Sequence, residues 1–152
     1  EGFLLNYKNY LKEDIREDVF YLNKGIYFFH QNDFDRARDL LLNHSYAPKF
    51  QLKVRSNLIL TLFEQFSMDF SLYDLLISHL NSFEKYLYRN TLVSSNQIES
   101  HLNFISITRK LTVGLFQKKN PIKLKMTIEN QIALKQKIIG KSWIIAKTQA
   151  LK

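Results

Sequence analysis

From Asp14 to Gln31 the apolar positions Ile15, Val19, Leu22, Ile26 and Phe29 recur at intervals of four and three, which draws one stripe along a helix. Phe20, Tyr21, Tyr27 and Phe28 widen the stripe to about half the circumference, so this helix is expected to pack against neighbours on two sides. Gln31, Asn32 and Asp33 end it, and Asp33 suits an N-cap because its carboxylate accepts from the free amides of the next turn. A second helix is predicted over Phe34 to Asn43. Pro48 suits the first turn of a third, where its missing N–H has no partner to lose. Phe50, Val54, Leu58 and Leu62 form the row of that helix, flanked by Ile59, Phe63 and Phe66. After a turn at Ser67 to Asp69, the fourth helix, Phe70 to Asn90, sets Leu72, Leu76, Leu80, Phe83 and Leu87 opposite Asp74, Ser78, Ser82, Lys85 and Arg89. Ser94 with Gln97 has the form of a capping box. It opens a fifth helix to about Phe116, expected to bury Ile98, Leu102 and Ile105 with Phe104, Leu111 and Leu115 beside them.

The last quarter carries two patterns at once. In PIKLKMTI, Ile122, Leu124, Met126 and Ile128 alternate with polar residues as in a strand, while Leu124, Ile128 and Ile132 step by four as in a helix. Asn120 followed by Pro121 is a good helix start, and a lone strand finds no partner in an otherwise helical chain. Helix is therefore expected over 121–138, closed by Gly140, with a final helix carrying Trp143, Ile144, Ala146 and Ala150.

Composition supports long helices: 4 Gly and 2 Pro punctuate a chain with 12 Phe and 8 Tyr. At 152 residues the size suits a single helical domain, 1–152. Cys is absent, which excludes disulfides, thiolate metal sites and cysteine nucleophiles and fits a reducing compartment. No apolar run approaches the roughly 20 residues of a membrane span, so a cytoplasmic setting is the default expectation. The chain opens at Glu1 without an initiator Met and is read as a piece of a longer protein. Its net charge of +8 is concentrated at one end: residues 111–152 hold nine basic groups against the single acid Glu129.

QNDFDRARDLL at 31–41 is echoed by SMDFSLYDLLI at 67–77. Asp33 and Phe34 match Asp69 and Phe70 at an offset of 36, and Asp39, Leu40 and Leu41 match Asp74, Leu75 and Leu76 at 35. In period and residues this resembles the tetratricopeptide repeat. The likeness covers about residues 18–90 and places Gly25 and Ala37 where paired helices approach closely and Phe34 at the turn aromatic. In the second copy Phe70 keeps the aromatic, whereas Thr61 and Tyr73 replace the small residues. The resemblance implies an all-α fold of antiparallel helical hairpins stacked as a short tetratricopeptide-like α-solenoid, with an irregular helical bundle as the alternative. It also implies a surface that holds peptides or partner proteins.

The candidate chemistry is sparse. His30, His44, His79 and His101 share no i, i+3 or i, i+4 spacing, and the pairs Glu13–Asp14 and Glu17–Asp18 fit the start of a helix better than acid–base work. No phosphate loop, HExxH or GxSxG occurs. The expectation is a noncatalytic protein or peptide interaction scaffold with no cofactor and no metal. The alternative is nucleic-acid binding through the basic part, 118–152, where Lys118, Lys119, Lys123, Lys125, Lys135, Lys137 and Lys141 are candidate polyanion contacts. Membrane-surface binding is set aside because the apolar residues of the tail are needed to cap the solenoid. An exposed solenoid end also offers a route to a homodimer.

Overall fold

The computed structural model describes residues 2–8 and 10–152. They form α1 (Gly2–Lys8), α2 (Glu13–His30), α3 (Phe34–Asn43), α4 (Gln51–Met68), α5 (Tyr73–Arg89), α6 (Ser95–Phe116), α7 (Pro121–Leu134) and α8 (Lys141–Gln149). Single 3-10 turns stand at Pro48–Phe50 and Phe70–Leu72, and there is no strand among the described residues. The chain is all-α and divides into two compact units, Glu1–Leu72 and Tyr73–Lys152. The division falls inside the second copy of the echo. No described helix is long and apolar enough to cross a membrane.

In the first unit α3 packs against both α2 and α4. Ala37 is fully buried, and a Cβ on Gly25 would stand 3.2 Å from Leu41 Cγ and 3.6 Å from the Ala37 carbonyl oxygen, so these two helices meet closely. The buried row of α2 runs through Asp18, Leu22, Gly25 and Phe28, while Ile15, Val19, Ile26 and Phe29 are only half-buried. Asp18 explains the rotation. Its carboxylate accepts from the Ala47 N–H at 2.9 Å and pairs with His44 Nε2 at 2.6 Å, so a residue that reads as solvent-facing is buried with partners. Burial pushes the Asp18 carboxyl up, but the bonds from Ala47 and His44 and the charge of Lys49 outweigh it and hold it below the usual carboxylate range.

In the second unit α5 packs along α6, which also receives α7 and α8. The α5 row Leu76, Leu80, Phe83 and Leu87 is buried and its Asp74, Ser78, Ser82, Lys85 and Arg89 face is exposed. On α6 the buried set is His101, Phe104, Ile105, Ile107, Thr108, Leu111, Thr112 and Gly114, leaving Ile98 and Leu102 half-buried. His101 sits against the edge of Phe83 and donates from Nδ1 to the Gln97 carbonyl at 2.6 Å. Burial pushes its pKa down, and the bond to Gln97 only partly opposes this.

The ambiguous PIKLKMTI stretch is helix. Leu124 and Ile128 are buried one turn apart, whereas Ile122 and Met126 stay 69% and 58% exposed, and the Asn120 side chain caps the Lys123 N–H. The helix ends at Leu134, short of the expected 138. Residues 135–140 instead form a strap along α6: Asn103 Nδ2 donates to the Lys137 carbonyl (2.8 Å), Lys135 Nζ to Asn103 Oδ1 (2.7 Å), and Lys137 Nζ to Asn96 Oδ1 (2.6 Å). Gly140, at φ 62°, opens α8 rather than closing α7. Ile144 and Thr148 anchor α8, while Ala146 and Ala150 are exposed.

Candidate functional site

Part of the basic charge of the second unit gathers where α6 hands over to α7. Helix α6 ends in two bonds that cross each other, Lys118 N–H to the Leu115 carbonyl (3.1 Å) and Lys119 N–H to the Gly114 carbonyl (2.9 Å). This Schellman closure needs a left-handed residue after the cap. Lys118 occupies it at φ 50°, where a Cβ-bearing side chain other than Asn or Asp costs about 1 kcal/mol or more. Asn120 and Pro121 then start α7.

On one side of this turn lies a depression of about 490 Å³, lined by Arg109, Lys110, Val113, Lys119, Asn120, Lys123, Leu124 and Thr127. Its floor is apolar, from Val113 and Leu124, and its rim carries four cations and no carboxylate. Arg109 is held from α5, donating from Nη2 to Glu84 Oε2 at 2.8 Å and to Asn81 Oδ1 at 3.1 Å. On the other side a second depression of about 300 Å³ is formed by Gly114, Leu115, Pro121 and Leu151 with Lys118, Lys119 and Lys152 at its edge. Leu124 and Lys119 border both. Gly114 permits this arrangement: a Cβ there would fall 2.6 Å from both Leu124 methyl carbons, so α7 seats its leucine directly on the α6 backbone.

The seven candidate lysines therefore separate into groups. Lys118, Lys119 and Lys123 gather at the turn. Lys135 and Lys137 are tied to Asn103 and Asn96 in the strap. Lys125 is half-buried, away from the residues lining either depression, and Lys141 is exposed in the first turn of α8. Arg109 and Lys110 are not among the contacts expected from the sequence, although the RK pair in the turns of α6 before KK adds to the same basic run. Of the residues matched to the repeat, Gly25 and Ala37 lie at the α2–α3 contact, Phe34 packs edge-on against Phe29 (5.6 Å), and Phe70 stacks on Phe66 (5.0 Å). Tyr73 stacks on Phe116 at 3.9 Å within the second unit.

The histidines and acids line neither depression. Asp18 and His44 form a clasp between α2 and the loop after α3, with the His44 ring between Tyr21 and Tyr46, whose hydroxyl donates to the Leu40 carbonyl at 2.9 Å. Burial pushes the Tyr46 phenol up. Glu17, next to Asp18, pairs instead with Lys8 at 2.5 Å. Among the described residues no three His, Asp or Glu side chains converge as metal ligands would. No protein-family model, curated protein or solved structure matches the chain.

Proposed function

We propose that the chain is a noncatalytic interaction scaffold, a helical-repeat-like module that holds a protein or peptide partner at the α6–α7 turn. The observation that carries this reading is the pair of apolar-floored depressions with cationic rims in the second unit. A depression of about 490 Å³ is large enough for a bulky side chain and its neighbours, and its polar groups stand at the edge, where they orient a ligand without filling the floor. The close α2–α3 pair, with Gly25 and Ala37 at the contact, supports the tetratricopeptide-like part of the reading.

The gathering of Lys118, Lys119 and Lys123 favours nucleic acid as a second reading, since unpaired lysines attract phosphates. The apolar floor weighs against it, because a phosphate backbone leaves Val113 and Leu124 uncovered. Selection of displayed random peptides on the immobilised chain, followed by chemical-shift mapping, tests the proposal. Selected peptides are expected to move resonances of Val113, Lys119 and Leu124. No selectable peptide, together with salt-sensitive binding of labelled RNA or DNA at the same residues, transfers the function to the second reading.

A further inference from the structure

We infer that the two depressions flanking the α6–α7 turn are paired subsites for an acidic peptide segment with two apolar anchor side chains, one seated on Val113 and Leu124 and the other on Leu115 and Leu151. This rests on the interaction reading above and adds the chemistry of the occupant. Three observations converge. The rims hold Lys110, Lys119 and Lys123 on one side, beside Arg109, which Glu84 already pairs at 2.8 Å, and Lys118, Lys119 and Lys152 on the other, with no Asp or Glu lining either depression, so the complementary ligand is anionic. Each floor is made by apolar side chains, so charge alone leaves it unmatched. Leu124 and Lys119 line both depressions, so a ligand passing from one to the other meets a cation on the way.

The turn itself is built at a cost. Lys118 holds a left-handed conformation that Gly or Asn adopts more readily, and the missing side chain of Gly114 leaves the space that the Leu124 methyls occupy. The cations and the floor are thus set by the same turn. A peptide supplies what such a site takes: carboxylates spaced along a chain, with side chains leaving on either side of the turn.

The test uses a short fluorescein-labelled peptide of aspartate and glutamate containing two leucines, titrated onto the whole chain at low and high salt. The comparison ligands are the same peptide with both leucines changed to serine, single-stranded polyuridylate, and vesicles of phosphatidylglycerol. The two-leucine peptide is expected to bind with a dissociation constant below about 100 μM and to shift methyl resonances of Val113, Leu115, Leu124 and Leu151. Loss of both leucines is expected to weaken binding by about tenfold or more. Lys119→Glu with Lys123→Glu, both exposed, is expected to weaken it by about tenfold and to flatten its salt dependence. Gly114→Ala is expected to weaken it while leaving the salt dependence unchanged, because the displaced Leu124 spoils the floor and not the rim.

Equal binding of the leucine-free peptide, tighter binding of polyuridylate or of vesicles, or methyl shifts confined to other residues would each overturn the inference. If peptides selected by display bind and the acidic two-leucine peptide does not, the occupant is wrong and the interaction reading stands. If neither binds, both fall.

Discussion

The α2–α3 turn of the first unit and the α6–α7 turn of the second share one backbone design and carry opposite chemistry. In both, two crossing bonds close the helix, from Asn32 and Asp33 to Phe29 and Phe28 in one, and from Lys118 and Lys119 to Leu115 and Gly114 in the other. Both place a non-glycine residue left-handed, Asn32 at φ 59° and Lys118 at φ 50°. A polar side chain then caps the next helix, Asp33 for α3 and Asn120 for α7. The first turn borders a depression of about 320 Å³ that includes Asp33, Asp35 and Gln65, the second a pair of depressions rimmed by lysine. Over whole units the contrast persists, with nine basic against ten acidic residues in the first and thirteen against four in the second. The backbone of a turn is thus set by capping and left-handed tolerance, and its partners by what the same few positions carry outward.

The acidic turn is self-satisfied in a way the basic one is not. Asp33 accepts from the Arg36 N–H at 3.2 Å and pairs with its guanidinium, and the Arg36 side chain holds the carboxyl below the usual range. Asp35 accepts from Gln65 Nε2 at 2.7 Å. At the basic turn Arg109 is paired with Glu84, while Lys110, Lys119 and Lys123 form no ion pair among the described residues.

Replacing Asp18 by Ala gives the largest effect expected within this comparison. It strands the Ala47 N–H and the His44 imidazole in the first unit and is expected to cost about 2 kcal/mol, read by urea denaturation, with Asp18→Asn intermediate. A loss under half that size would make the clasp a surface contact. Its counterpart in the second unit is Asn103→Ala, which releases both Lys135 and the Lys137 carbonyl. About 1 kcal/mol is expected, with faster amide exchange at Ile139 as the local readout. For the turns themselves, Lys118→Gly is expected to raise stability by about 1 kcal/mol, and Asn32→Gly by only a few tenths, because Asn tolerates the left-handed region. Equal gains at the two sites would remove the argument that Lys118 is held there against local preference.

The smallest effect separates the units by pH. His101 has its pKa lowered by burial, so the unfolded chain takes the proton first. Stability contributed by neutral His101 is present above its ordinary value of 6.5 and is lost as pH falls from there toward the folded value. Asp18 is also lowered, from 3.8, so its contribution is present above that value and disappears as pH falls through the folded one. Denaturation midpoints at neutral, mildly acidic and strongly acidic pH should therefore drop in two stages. His101→Asn should remove the first stage, and Asp18→Asn should shrink the second, which the lowered Glu17, Asp33 and Asp69 share.

Helix positions were legible where periodicity, capping and burial agreed. The rows of α4 from Val54 and of α5 from Leu76, the Ser94–Gln97 capping box and the caps at Asp33 and Asn120 follow from local rules and the structure repeats them, while Phe50 and Leu72, expected to begin those rows, lie half-buried in the preceding 3-10 turns. Three features were not legible because each depends on a partner distant in sequence. The turned face of α2 follows from the bonds of Asp18 to His44 and Ala47, separated by 26 and 29 residues. The early end of α7 follows from bonds to Asn103 and Asn96 that replace helical ones. The larger depression combines Arg109 and Lys110 with Lys119 of the turn and Lys123 of α7, so counting charge along the tail finds only half of its cations. Helix α1 went unread because GFLLNYK is shorter than the window over which a period can be recognised.

The strap at 135–140 has a consequence for the order in which the second unit is assembled. Its fastenings reach back 32 to 41 residues, and all of them land on α6. During synthesis α6 is complete before any of the strap has left the ribosome, so α6 serves as the template on which the strap and then α8 are laid. Closing loops of that length costs little more than closing shorter ones, but the cost is met only when a finished α6 surface is present to receive them. The last helix is in this sense an addition: Asn96 and Asn103 fasten the strap that leads to it, and Ile144 and Thr148 then bury it in the second unit.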